Sequence, residues 1–198
     1  MKKIVILILA LVVLIGGASV LYANLGQQFA PDQLAVQQTQ PPTQPQSTET
    51  LPAQTQPQVN TAPDFRVFDA EGQEVRLSDY FGKPIVVNFW ASWCGPCQME
   101  MPDFQEKYLE LGDEIQFLMV NITTGRETLE SASQFIAQQG YTFPVFYDTA
   151  SDAAMTYGAY SLPTTFFIDA EGCAIAKATG AISADILQQG IDMIYTPQ

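Results

Sequence analysis

The chain has no histidine and only three cysteines in 198 residues. Without an imidazole, the Ser–His and Cys–His nucleophile pairs cannot be built. Cys97 is followed by Gln98, so the Cys-x-x-Cys-His pattern of c-type haem attachment is excluded. Three cysteines and no histidine also leave too few soft ligands for a four-coordinate zinc site within one chain. Basic residues are scarce as well: 8 Lys and Arg stand against 21 Asp and Glu, a net charge of −13. Before residue 62 the only charges are Lys2, Lys3, Asp32 and Glu49, and they cancel. The whole −13 therefore lies on residues 62–198. Such a surface repels nucleic acid and anionic headgroups, so no nucleic-acid partner is expected; it suits basic protein partners or is simply a solvated acidic face, the commoner case.

The first sixty residues divide into two materials. Ile4 to Ala23 is an uncharged apolar run preceded by Lys2 and Lys3. About twenty residues is the length of a bilayer-spanning helix, and the lysines place the N-terminus in the cytoplasm. The expectation is a single-pass anchor within residues 1–30, with the rest of the chain outside the cytoplasm. A cleaved signal peptide is the alternative, since Gly16, Gly17, Ala18, Ser19 and Ala23 offer small residues for a cut. Residues 31–61 are rich in Gln, Pro and Thr, as in Gln37-Gln38-Thr39-Gln40-Pro41-Pro42. Such a segment cannot bury enough apolar surface to fold, so it reads as a disordered tether. About thirty flexible residues reach roughly 30 Å.

Residues 62–198 read as one globular domain. Phe65–Phe68 and Glu74–Leu77 flank Asp69-Ala70-Glu71-Gly72, a hairpin with glycine at the turn. Ile85–Ala91 and Ile115–Asn121 are apolar runs of buried-strand length. Helices are expected from Pro96 to about Leu111, from Thr128 to Gln139 before Gly140, and after Ser183 to about Ile194. Pro144–Tyr147, Thr164–Ile168 and Cys173–Lys177 complete the strands, and Ser151–Tyr157 forms a short helix. Strands alternating with helices predict an α/β domain whose central mixed sheet carries helices on both faces.

The chemistry centres on Trp93-Cys94-Gly95-Pro96-Cys97, set between a buried strand and a helix. Two cysteines so spaced can close a disulfide ring or open to a dithiol. Cys94 falls at the helix N-terminus, where free N–H groups and the helix dipole favour a thiolate. The thiolate is the attacking species in disulfide exchange. Cys97, nearly one turn on, is placed to resolve the mixed disulfide. Pro96 suits the first helical turn. A structural disulfide is the plain alternative. Glu100 lies three residues after Cys97 and could exchange protons with the thiols, or it is a solvated helix residue. Cys173 reads as a packing residue, with an exposed redox thiol or an intermolecular bridge as the alternative.

Asn88-Phe89-Trp90-Ala91-Ser92-Trp93-Cys94-Gly95-Pro96-Cys97 resembles the active-site motif of the thioredoxin superfamily. Gln98-Met99-Glu100-Met101-Pro102 and Ser161-Leu162-Pro163-Thr164-Thr165-Phe166 narrow the resemblance to the TlpA/ResA-like membrane-anchored thiol–disulfide oxidoreductases. The resemblance covers about residues 62 to 198. It implies a thioredoxin fold with an added N-terminal β-hairpin. It also implies a redox-active Cys94–Cys97 pair, with Gly95 and Pro96 setting the turn and Trp93 bordering the site. The Leu162–Pro163 bond would be cis, turning the Leu162 backbone toward a substrate strand and keeping metal ions from the dithiol. Glu100 would serve the proton transfers. Cytoplasmic thioredoxins carry an aspartate where this chain has Asn88, so Asn88 departs from their relay.

The function expected is a membrane-anchored protein disulfide reductase needing neither cofactor nor metal. Its substrates would be protein disulfides, with the haem-binding motif of apocytochrome c among them. A membrane electron donor would keep it reduced. A peroxiredoxin-type peroxidase and a non-catalytic binding or chaperone module on the same fold are the competing readings.

Overall fold

The computed structural model describes Ala35–Val36 and residues 61–197. The apolar run Ile4–Ala23 and most of the 31–61 segment lie outside the described residues. Among the described residues no helix is long and apolar enough to cross a membrane.

One eight-stranded sheet organises the domain. Its strands are β1 (Ala35–Val36), β2 (Arg66–Phe68), β3 (Glu74–Arg76), β4 (Ile85–Trp90), β5 (Gln116–Asn121), β6 (Val145–Tyr147), β7 (Thr164–Ile168) and β8 (Ala174–Thr179). The spatial order is β1-β8-β7-β4-β5-β6-β2-β3. The β4–β5 and β5–β6 pairs are parallel and the others antiparallel, so the sheet is mixed as expected. The helices are α1 (Gly95–Leu111), α2 (Leu129–Gln139), α3 (Asp152–Tyr157) and α4 (Ala184–Ile194).

Strand β4 shows how the two-residue period builds two cores. Every residue of it is buried. Val86 and Trp90 join Cys97, Met101, Phe104, Ala132, Leu187 and Ile191 on one face, the face of α1, α2 and α4. Ile85, Val87 and Phe89 join Phe65, Leu77, Phe146, Ala153 and Tyr157 on the other. Alternate side chains leave a strand on opposite sides, so a run apolar at every position must be covered on both. The second face carries only the short α3. The segment Ala62–Tyr80, with its single 3-10 turn at Leu77–Tyr80, covers the rest.

The predicted N-terminal hairpin is β2–β3, and Phe68 also pairs with Tyr147 of β6. Its turn is held by Asp69, whose Oδ1 accepts from the N–H groups of Glu71 and Gln73, while Gly72 takes φ +78°. The same four letters recur at 169–172. There Asp169 Oδ1 accepts from Cys173 N–H. At the far edge Ala35 and Val36 pair with Lys177 and Ala176 of β8. Two residues of the segment read as a disordered tether thus extend the sheet.

Candidate active site

Both parallel strands β4 and β5 end beside the start of α1, so the sheet delivers its chain to one rim. The turn after Trp90 brings Cys94 to the helix as its N-cap, with Gly95 and Pro96 exposed in the first turn. Cys94 and Cys97 are joined by a disulfide, with Cα atoms 5.2 Å apart. Cys94 Sγ also accepts from the Cys97 N–H at 3.2 Å. The helix N-terminus thus points a free amide at this sulfur, the condition that stabilises a thiolate when the ring opens. Cys94 is 4% exposed and Cys97 0%. Of the two residues only Cys94 has any exposure.

Glu100 is buried, 2% exposed, beneath this turn. Its Oε1 accepts from Asn88 Nδ2 at 2.8 Å and its Oε2 from the Ile182 N–H at 2.9 Å. Burial pushes the carboxyl up to about 7, the two hydrogen bonds oppose this, and Asp103 adds to it. Asn88 Nδ2 also donates to Thr165 Oγ1 at 3.0 Å, while Asn88 Oδ1 has no partner. The network links β4, β7, α1 and the loop before α4. A buried acid that titrates near neutrality can give and take protons one helical turn from Cys97.

The Leu162–Pro163 peptide bond is cis, and Pro163 is buried. Half-buried Leu162 lines a groove of about 630 Å³ that also contains Cys94, Gly95, Pro96 and the exposed face of Trp93. Among the described residues no hydrogen bond uses the Leu162 N–H or C=O. The structure therefore gathers all eight residues singled out in the sequence: Trp93, Cys94, Gly95, Pro96 and Leu162 line the groove, with Cys97, Pro163 and Glu100 buried behind it.

Two residues of the rim escaped the sequence reading. Arg126 lies over the Trp93 ring, 3.9 Å from its centroid. Its neighbour Glu127 is buried, 3% exposed. Glu127 accepts from the Ser92 N–H at 3.1 Å, from the Ser92 hydroxyl at 2.9 Å and from Asn121 Nδ2 at 3.2 Å. It thereby fastens the loop after β5 to the turn that carries Cys94. A charged pair in a loop ordinarily reads as solvated surface. The scarcity of basic residues in 62–198 was the one available signal for Arg126. Cys173 is half-buried beside the Thr61 bridge, far along the chain from this rim. Desolvation, with Asp169 and Glu171, pushes its thiol up.

The AhpC/TSA family model matches residues 59–176. The thiol-disulfide oxidoreductase ResA of Geobacillus thermodenitrificans is 38% identical over 136 residues, covering 68% of this chain and 76% of that protein. Among solved structures, the exposed lipoprotein thioredoxin of Streptococcus pneumoniae is similar at 34% identity and TM-score 0.58, over 66% of this chain and 99% of that one. A Chlorobium tepidum protein described as a thiol:disulfide interchange protein DsbE is similar at 32% identity and TM-score 0.60, over 67% and 93%.

Proposed function

We propose, from the premise that this chain belongs to the AhpC/TSA family and is a thiol–disulfide oxidoreductase of the ResA type, that it works as a disulfide reductase tethered outside the cytoplasm. The observation that carries the reading is the Cys94-Gly95-Pro96-Cys97 ring at the head of α1, opening onto a groove. In the reduced protein the Cys94 thiolate attacks one sulfur of a protein disulfide. A mixed disulfide forms and one substrate thiolate leaves, taking up a proton. The Cys97 thiolate then attacks Cys94 Sγ, closes the ring and releases the second substrate sulfur. Two electrons and two protons pass from the dithiol to the substrate. Glu100, three residues on from Cys97 in α1, would accept the proton that Cys97 gives up. A membrane carrier of thiol electrons would reopen the ring.

The direction rests on the two residues inside the ring. Gly-Pro between the cysteines is the dipeptide of thioredoxin, a reductant at about −270 mV, whereas strong oxidants lie near −120 mV. That gap is worth roughly 7 kcal/mol for two electrons, enough to decide the direction. The apolar run Ile4–Ala23 supports the anchor, and the pneumococcal neighbour is itself described as an exposed lipoprotein. The resemblance of the Cys94 motif to the TlpA/ResA-like oxidoreductases suggests the disulfide of an apocytochrome c haem-binding motif as a substrate, with repair of other secreted proteins as the wider class. Equilibrating the protein with glutathione redox buffers gives its potential. A value below about −230 mV is expected. A value more oxidising than about −180 mV, the level of protein disulfide isomerase, would reverse the assignment to disulfide formation.

A further inference from the structure

The groove beside Cys94 is apolar over most of its wall, with Trp93, Ile122, Met155, Tyr160 and Leu162 facing it. Met155 is 67% exposed and Tyr160 81%, so large apolar side chains stand in water there. Among the lining residues Arg126 alone carries a formal charge. No Asp or Glu of the described residues comes within ion-pair distance of Arg126. No hydrogen bond among them uses its five donors either. The guanidinium is nevertheless held: its central carbon lies over the Trp93 ring, and the adjoining Glu127 is bonded to Ser92 and Asn121. Glu127 is the nearest carboxylate in sequence, and both its oxygens are occupied by those bonds. A cation fixed in place before a ligand arrives loses little freedom on binding, and a guanidinium fork fits a carboxylate in two-point contact.

We infer that this groove selects an extended peptide carrying a carboxylate side chain near its disulfide, and that Arg126 is the residue that reads it. The inference rests on the disulfide-exchange reading above and names its substrate class. The free N–H and C=O of Leu162 give the peptide a strand partner, Met155 and Tyr160 take an apolar neighbour, and Arg126 takes the acid. Bulk charge argues for the opposite preference. A domain that bears the whole −13 draws basic peptides at long range. An acidic preference would therefore report the local contact and not the general field.

The test uses full-length reduced protein and disulfide-bonded peptides that differ only in a Glu, Gln or Lys beside the cysteines. Near 0.15 M salt the long-range field is screened beyond about 8 Å. The Glu peptide should be reduced about three- to fivefold faster than the Gln peptide, the range of an exposed or half-exposed ion pair, and the Lys peptide slowest. Arg126→Gln should bring the Glu/Gln ratio to about one, and Arg126→Glu should invert it. Lys83→Gln, removing a cation bonded to Asp113 C=O at 2.7 Å and outside the groove, should keep the wild-type ratio. Equal wild-type rates for the three peptides, or a ratio untouched by Arg126→Gln, would overturn the inference and leave the oxidoreductase reading standing. Faster reduction of glutathione disulfide than of any peptide would assign the groove to small acidic disulfides and overturn the peptide class. Failure to reduce any disulfide would remove the exchange reading and this inference together.

Discussion

Glu100 holds two hydrogen bonds and a proton affinity that water would not give it. Its carboxyl titrates near 7 in the folded protein against 4.5 for the ordinary group. The folded state therefore keeps this proton to higher pH than the unfolded chain does. Below about pH 4.5 the group is neutral in both states and makes no difference. As pH rises from 4.5 to 7 the unfolded chain ionises first, and stability falls by about 1.4 kcal/mol per unit, about 3 kcal/mol in all. Glu100→Gln removes that loss. Its amide oxygen can still accept from the Ile182 N–H, and once the Asn88 amide turns over its NH₂ can donate to Asn88 Oδ1, in exchange for the wild-type bond from Asn88 Nδ2. In urea unfolding of the oxidised proteins, the variant should match the wild type near pH 4 and exceed it by about 1–3 kcal/mol at pH 8. The rate of thiol exchange should also lose its inflection near pH 7. A stability difference that stays constant with pH would mean that the buried carboxyl does not titrate in this range. Cys94 and Cys97 supply the second residue-scale test. Cys94 Sγ takes the helix amide, and Cys94 is the residue of the pair with any exposure. In the reduced protein it should alkylate with iodoacetamide at least about tenfold faster than Cys97. Cys97→Ser should accumulate mixed disulfides, visible on non-reducing gels. Faster labelling at Cys97 would exchange the two roles.

Helix α4 closes on the sheet through a single missing methyl group. A Cβ at Gly190 would lie 2.2 Å from the Phe167 ring, which is itself fully buried on β7. The ring cannot move without displacing neighbours, so Gly190→Ala should destabilise by about 1–3 kcal/mol, even though alanine favours a helix by about 1 kcal/mol over glycine. Thermal unfolding checks it; an unchanged or higher midpoint would show that α4 can shift outward at no cost. The sequence could not have revealed this glycine, because its helix reads the same with or without a close neighbour. What was legible followed from local pattern. The run Ile85–Ala91 became β4, and the helix expected from Pro96 begins one residue earlier at Gly95. Thr128 and Ser183 cap α2 and α4 as their side chains predict. Strand β8 runs to Thr179, beyond the expected Lys177, because β7 offers Thr164 as its partner there. Ala35–Val36 was hidden by its Gln- and Pro-rich surroundings and pairs only because β8 leaves an open edge. The hold of Glu127 on Ser92 spans 35 residues, a separation that no local pattern encodes. The Cys94 motif was legible because its residues are contiguous; the groove opposite it is assembled from the 122–126 loop, the start of α3 and the 159–162 loop.

At the scale of the whole chain, a strongly acidic catalytic domain follows a charge-balanced segment whose first part is apolar. Twenty apolar residues at 1.5 Å each span about 30 Å as a helix, the thickness of a hydrocarbon core. Lys2 and Lys3 would stay in the cytoplasm. The acidic domain gains nothing from anionic lipid, so surface charge alone would not keep it at a membrane. Attachment by Ile4–Ala23 and attachment by charge therefore respond differently to washing. High salt weakens charge attraction and leaves a spanning helix in place. Full-length protein should sediment with membranes through a 1 M salt wash and dissolve only in detergent. Protease added outside the cytoplasmic membrane should cut within residues 31–61 and release a soluble fragment that keeps the Cys94–Cys97 pair and its thiol-exchange activity. Deleting residues 4–23 should leave that activity intact and abolish sedimentation. Recovery of soluble protein alone, with an N-terminus after Ala23, would show a cleaved signal peptide in place of the anchor and free the oxidoreductase to diffuse away from the membrane.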